Sequence, residues 1–363
     1  MSEGRQWWRH PVLVAALSVG VLAVVSGAGI GLITRSSAGT AISATSTSTK
    51  TAVAGGPPCP LTGAPSPTGS VPNRPALAVK VDNYPAARPQ SGLDHADVVF
   101  EEPVEGGITR LVAVFQCQGA SIVGPIRSAR EPDVAIVDEL SDPVFVHVGG
   151  IDPILRMIAN ADDQPVDCCQ PSIIERIPGR VAPYSTYAST SSLWGLFPSD
   201  TTPPKPIFSY SSAYSGSPVS AVRIPFSPTN DNTWRWQAST GRWDLSIGGV
   251  PATLTDGNTV SVTNVVVMVV QTFEGPWVEN AQGAHEVEVD PTSGGPVEVL
   301  RDGVDIQGTW SRSSLSAPAT FADSSGNPIT LAPGTTWVEL VPSNVTVTSS
   351  PATSSTTSAS AQR

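Results

Sequence analysis

Hydrophobic and polar positions change rhythm three times along this chain. From Val12 to Ile33 the residues are almost all apolar and none is charged. Twenty-two residues at a rise of about 1.5 Å cover about 33 Å, the hydrocarbon thickness of a bilayer. Residues 34–58 are mostly Ser, Thr, Ala, Gly and Pro with no acidic residue, and 343–363 repeat that composition. Neither stretch has the apolar content to fold, so they read as a flexible stalk and a solvated tail. Residues 59–342 lie between them and carry the folded pattern.

Within 59–169, strand-like runs alternate with helical ones. Residues 76–82, 97–104, 108–116 and 143–150 read as strands, and 132–140 and 151–161 as helices, with Pro153 tolerated in a first turn. Glu105-Gly106-Gly107 reads as the connection of a hairpin. Residues 170–218, rich in Pro, Ser and Tyr, bridge to the second half, with a short helix near 191–197. From 219 to 342 helical periodicity is absent. Strands are predicted at 219–225, 233–238, 241–247, 260–272, 286–290, 296–300 and 335–341. Asp256-Gly257, Asp302-Gly303 and Ser325-Gly326-Asn327 supply turns between them. The predicted fold class is α+β. A mixed α/β N-terminal domain (59–169) is followed by a bridging segment (170–218) and a β-rich C-terminal domain (219–342). One transmembrane helix (12–33) precedes them, with a cytoplasmic leader at 1–11.

Charge narrows the class. Twenty Lys and Arg against 31 Asp and Glu leave a net charge of −11. Nothing resembles the basic stripe that phosphate contacts demand, which excludes nucleic acid as a partner. Arg5 and Arg9 keep the N-terminal end of the apolar run in the cytoplasm, and Trp7 and Trp8 sit where an interfacial aromatic belt belongs. The reading adopted is an uncleaved membrane anchor with the bulk of the chain outside. A cleaved signal peptide and secretion is the alternative, with cut sites near Ser26–Ala28 or Ser36–Ala38. Cys59, Cys117, Cys168 and Cys169 form an even set in a chain that leaves the cytosol, so disulfides are expected, with three connectivities open. A bond between the neighbours Cys168 and Cys169 is strained. One of them is therefore expected to pair with Cys117 or Cys59.

Two segments carry candidate chemistry. If Gly106 and Gly107 are the central hairpin residues, Glu105 pairs with Ile108 and Pro103 with Arg110. Side chains 101, 103 and 105 then share a face with 108, 110 and 112. That register predicts a Glu101–Arg110–Glu105 cluster. It reads either as a solvated ion cluster or as a site floor, with Arg110 fixing an anion and Glu101 or Glu105 serving as base. In the second segment, Gly124-Pro-Ile-Arg-Ser-Ala-Arg130, the residues Arg127, Ser128 and Arg130 lead into a helix N-terminus at Pro132. Backbone N–H groups and two guanidiniums there suit a carboxylate or phosphate. In the plainer reading Ser128 or Glu131 caps the helix and the arginines pair with Asp133 or surface acids. The two segments are expected to converge on one pocket. No metal or cofactor is expected. His95 and Asp97 lack a third ligand at recognisable spacing, His147 reads as a core histidine, and Trp234, Trp236 and Trp243 read as core packing, with Trp236 opposite Trp243.

The same stretches, with Arg74–Asn83, Ala87–Leu93, Ala96–Glu101, Ile306–Trp310 and Leu331–Trp337, resemble the signature blocks of the YerB-like family of bacterial envelope proteins. The resemblance covers nearly all of 59–342. It implies an extracytoplasmic, membrane-attached protein in two parts of unknown function, and no established reaction. Many relatives look like lipoproteins, whereas here the first cysteine is Cys59, so attachment rests on the apolar helix. Arg88, Gln90, Arg110, Arg127, Ser128 and Arg130 combine motif membership with ligand-capable chemistry, as do Glu101 and Glu105. The function expected is an envelope binding or accessory module recognising an anionic cell-wall ligand or an envelope protein. The alternative is a cell-wall hydrolase or transferase using Glu101 or Glu105 as acid–base residue. A purely structural partner-binding protein is a third reading.

Overall fold

Leu77-Ala-Val-Lys-Val-Asp82 is buried along its whole length, as expected of a strand covered on both faces. This strand, β1, is joined by β2 (Val98–Pro103), β3 (Thr109–Phe115), β4 (Val144–His147) and β5 (Gln164–Asp167). Three short helices accompany them, α1 (Pro132–Asp138), α2 (Asp152–Ile158) and α3 (Thr190–Trp194). Prolines open α1 and α2, where a missing N–H costs nothing. Among the described residues the other long elements are strands. Strands β6 (Ser217–Ser227), β7 (Asn230–Gln237), β8 (Arg242–Ile247), β9 (Val250–Pro251), β10 (Ser261–Val262) and β11 (Asn264–Val270) come first. They are followed by β12 (Thr272–Val278), β13 (His285–Val289), β14 (Gly295–Arg301), β15 (Val304–Ser311), β16 (Thr320–Asp323), β17 (Thr336–Pro342) and β18 (Thr348–Pro351).

The computed structural model describes residues 55–161, 163–167 and 172–352. The anchor expected at 12–33, most of the stalk, Cys168, Cys169 and the end of the tail lie outside the described residues. Among the described residues no helix is long and apolar enough to cross a membrane. The chain is mostly β-sheet with few helices.

One mixed sheet runs in the order β10-β8-β7-β6-β15-β14-β11-β17-β2-β3-β1-β4-β5, with β9, β16 and β18 added alongside β8, β15 and β6. Its two halves join where β2 runs parallel to β17, Val98–Glu101 against Thr336–Glu339. Side chains alternate across the sheet. Val79, Val99, Leu111 and Trp337 enter the core on one face, and Ala78, Phe100, Val112 and Val338 the core on the other. Strands β12 and β13 stand apart as a two-stranded ribbon.

The predicted strand at 260–272 is broken into β10 and β11, and β5, β9, β12, β15, β16 and β18 had no prediction. β18 corrects the reading of 343–363 as wholly a solvated tail, because Thr348–Pro351 pairs with β6. β15 carries Asp305, Gln307 and Gly308 and is ordered by pairing with both β14 and β16, which its own composition does not announce. The disulfide expectation is corrected. Cys59 pairs with Cys117, Cα atoms 6.0 Å apart, so neither waits for Cys168 or Cys169. Trp236 does face Trp243, with ring centroids 5.3 Å apart, and Trp234 and Trp243 are fully buried. His147 is buried, hydrogen-bonded through Nδ1 to the Gly149 carbonyl and packed on Phe145. Asp97 accepts the Gln116 and Cys117 amides, a structural role.

Candidate functional site

The hairpin between β2 and β3 closes one residue away from the expected register. Gly106 and Gly107 both take positive φ (72° and 73°), and the Val104 N–H reaches the Ile108 carbonyl at 2.9 Å, so five residues form the turn. Glu102 therefore pairs with Arg110 and Pro103 with Thr109. A slip of one residue exchanges the faces of a strand. Glu101 shares the Val99 face and Arg110 the Val112 face, so the expected Glu101–Arg110–Glu105 cluster does not form.

On the first face Glu101 is fully buried among donors. Its Oε1 accepts from Asn83 (3.1 Å) and Thr109 (2.6 Å), and its Oε2 from Asn232 (3.0 Å) and Trp337 (3.2 Å). Its register partner on β17 is Glu339, equally buried, which accepts from Trp234 (2.6 Å) and Asn232 (3.3 Å). Burial raises both carboxyls, and the charge of Glu101 pushes Glu339 well above the ordinary range. Two adjacent buried carboxylates cannot both ionise, so the pair holds a proton. Arg88 and Gln90 belong to this face. Arg88 Nε (3.1 Å) and Gln90 Nε2 (2.8 Å) donate to Asn83 Oδ1, fixing the amide that serves Glu101. They brace a carboxyl, and both also line a depression of about 370 Å³ with Ile247 and Val250.

The opposite face gathers the remaining candidates. Residues 124–130 run along the ends of β1 and β4. The Arg127 N–H donates to the Lys80 carbonyl (2.9 Å), the Val148 N–H to the Arg127 carbonyl (3.0 Å), and the Ala129 N–H to the Gly149 carbonyl (3.0 Å). This course delivers Arg127, Ser128 and Arg130 beside Arg110. Arg110 donates to the Ser128 carbonyl and to Glu105, each at 3.2 Å. Arg130 grips both Glu105 oxygens (Nε 2.8 Å, Nη2 2.7 Å) and pairs with Glu279 of the ribbon (2.6 Å). Arg127 Nε pairs with Asp82 at 2.9 Å. Beneath them Lys80 bridges Glu102 and Asp133, the latter at 2.6 Å.

Electrostatics separate these groups by role. Burial opposes the charge of Glu105, but the Arg130 hydrogen bonds and the Arg110 and Arg130 charges outweigh it and hold the pKa at about 2. Burial, then the charge of Asp133, lifts Glu102 to about 8 despite Lys80. Burial and the neighbouring Arg130 lower Arg110 to about 10, still charged at neutral pH. The expected anion site at the start of α1 is filled by the protein itself, because Asp133 accepts the Arg130 amide at 2.6 Å. Lys80, Asp82, Asn83, Glu279 and Glu339 escaped the sequence reading, whereas Asp133 was expected as a partner of the arginines. Lys80, a lone cation inside an otherwise apolar strand, was the one legible signal.

One charged side chain of the cluster meets solvent. The Arg127 side chain is 29% exposed, and among the described residues Asp82 is its one side-chain partner. It lines a pocket of about 330 Å³ with Arg176, whose Nη1 is held by the Ser185 carbonyl and hydroxyl, each at 2.9 Å. Nearby, Tyr84 and Tyr184 stack with centroids 6.3 Å apart.

Comparison with known proteins places these blocks in context. Residues 61–202 match the N-terminal domain of the proteins of unknown function DUF3048, and 222–338 match their C-terminal domain. The YerB protein of Bacillus subtilis (strain 168), which carries a lipoprotein name, is 50% identical over 90 residues. That is 25% of this chain and 27% of that protein's length. The crystal structure of YerB from Bacillus subtilis superposes with a TM-score of 0.67 at 25% identity, covering 80% of this chain and 99% of that one.

Proposed function

Because the chain belongs to the YerB-like family, whose two parts are domains of unknown function, we propose that it is a membrane-attached envelope module binding an anionic ligand through Arg127 and Arg176. The lipoprotein name of the Bacillus relative supports envelope attachment. Here the first cysteine, Cys59, is bonded to Cys117 and carries no free thiol for a lipid. Attachment therefore falls to the apolar run 12–33, with 59–342 outside. The ligand is a carboxylate or phosphate, the groups a guanidinium pair recognises best, and a cell-wall component offers both.

The observation that carries this reading is the partial exposure of Arg127 beside a second guanidinium in an open pocket. Arg110 and Arg130 are buried and matched by Glu105 and Glu279, so they frame the site rather than fill it. The hydrolase alternative draws less support. A general acid needs a proton to give, and Glu105, with a pKa of about 2, has none at neutral pH. Glu101 lies buried on the other face, away from Arg110.

Titration of the full-length protein with inorganic phosphate and with N-acetylmuramic acid, followed by calorimetry, tests the reading. At least one probe should bind, and Arg127→Ala or Arg176→Ala should weaken it about tenfold or more, as expected for loss of a charge-assisted hydrogen bond. Equal binding by both variants, or none by the unaltered protein, would remove the site.

A further inference from the structure

A second depression, of about 500 Å³, lies between the Glu105–Gly107 turn and the β12–β13 ribbon. Its charge is one-sided. Glu105, Glu274 and Glu286 line it together with His285, and no Lys or Arg does. Glu105 is spent on Arg110 and Arg130. Glu286 is different. Its residue is 1% exposed, and no protein side chain donates to either carboxylate oxygen. A Cβ on Gly275 would sit 2.4 Å from Glu286 Oε1, so the absence of a side chain at Gly275 is what admits the carboxylate. Glu279, outside the lining, pairs through Oε1 with Arg130 while its Oε2 is buried without a donor.

We propose that this depression is a binding site for a primary ammonium group on an apolar stem, of the kind a lysine side chain presents, with Glu286 as its anchor. Both Glu286 oxygens lack a side-chain donor, and an ammonium carries three N–H groups. Arg130 is committed elsewhere, with Glu105, Glu279 and the Ala129 carbonyl taking four of its five N–H donors. Val104, Ile108, Phe226 and the half-exposed Phe273 provide wall for methylenes and a ring face for a cation. A metal ion fits less well, as no three His, Cys, Asp or Glu side chains among the described residues are gathered as its ligands. Burial first, then the charges of Glu288 and Glu279, raise Glu286 to about 7, and the Trp277 amide and Arg130 temper the rise. An arriving cation favours the ionised form, so binding near pH 7 expels protons. This site is separate from the Arg127 pocket and does not depend on it.

The test uses full-length protein and N-acetyl-lysinamide, with N-acetyl-norleucinamide as a probe of similar stem and no charge. Calorimetry near pH 7, in two buffers of different ionisation enthalpy, should show the lysine probe binding at least tenfold more tightly, with proton release. Glu286→Gln should abolish both the preference and the release while leaving Tm equal or higher, because the variant removes an unpaired buried carboxylate. Glu274→Gln, at an exposed position on the rim, should weaken binding severalfold and keep the proton release. Equal affinity for the two probes, no binding of the lysine probe, or an unaltered Glu286→Gln response would each overturn the proposal.

Discussion

Glu339 shows how a residue's neighbours decide its charge. It faces Glu101 across two parallel strands, and the raised pKa of both means that the folded state binds a proton which the unfolded chain releases above about pH 4.5. For a carboxyl raised on folding, stability is greatest below the unfolded pKa and declines as pH rises toward the folded one. Glu339→Gln imitates the protonated carboxyl, since its amide can donate to Glu101 and accept from Trp234. Its Tm should match the unaltered protein near pH 4 and exceed it by about 2 °C or more at pH 8, read by circular dichroism melts. A Tm lowered at pH 8 would show that the pair is ionised and needed in that form. Nothing in the sequence marks this pair, because its members are 238 residues apart.

At the scale of elements, the hairpin turn decides which glutamate meets which arginine. Two glycines at positive φ were legible as a turn, and the strands on either side were placed to within a residue or two. The register was not, because a two-residue loop and a five-residue turn use the same Glu-Gly-Gly. That single step moves Glu101 to the far face and brings Glu102 to Arg110. Glu105, in the turn itself, still reaches Arg110 and Arg130. Glu105→Gln leaves two buried guanidiniums short of an anion and should cost about 3–5 kcal/mol in urea unfolding. A cost below 1 kcal/mol would mean that water or Glu279 replaces the carboxylate. Arg110→Ala is a buried-charge deletion of the same class, since Arg110 is 2% exposed.

Across the whole molecule, the β2–β17 junction and the Cys59–Cys117 bond work on different parts of one body. The sheet continues from the first half into the second through parallel pairing of Val98–Glu101 with Thr336–Glu339. Calorimetric unfolding of 55–352 should accordingly show one transition, and two separated transitions would show that the halves melt independently. The disulfide closes a loop of 58 residues. Its entropic effect on the unfolded chain is about 4 kcal/mol, so the double change Cys59→Ser with Cys117→Ser should lower stability by up to that amount. An unchanged Tm would mean the bond is absent from the purified protein.

By itself the sequence determined the local and the chemical. Alternation of apolar and polar residues set most strands, prolines set the starts of α1 and α2, and paired Gly set the turn, because each acts within a few residues of itself. The motif Gly124–Arg130 brings two guanidiniums, Arg127 and Arg130, and the Ser128 carbonyl near Arg110. Tertiary structure alone decided what those groups mean. Whether an arginine binds a ligand or is neutralised depends on carboxylates from distant segments: Glu279 reaches Arg130 from a ribbon 149 positions on, and Arg127 is exposed where Arg110 is not. Charge pairing and burial are properties of three-dimensional neighbourhoods, and sequence spacing does not encode them.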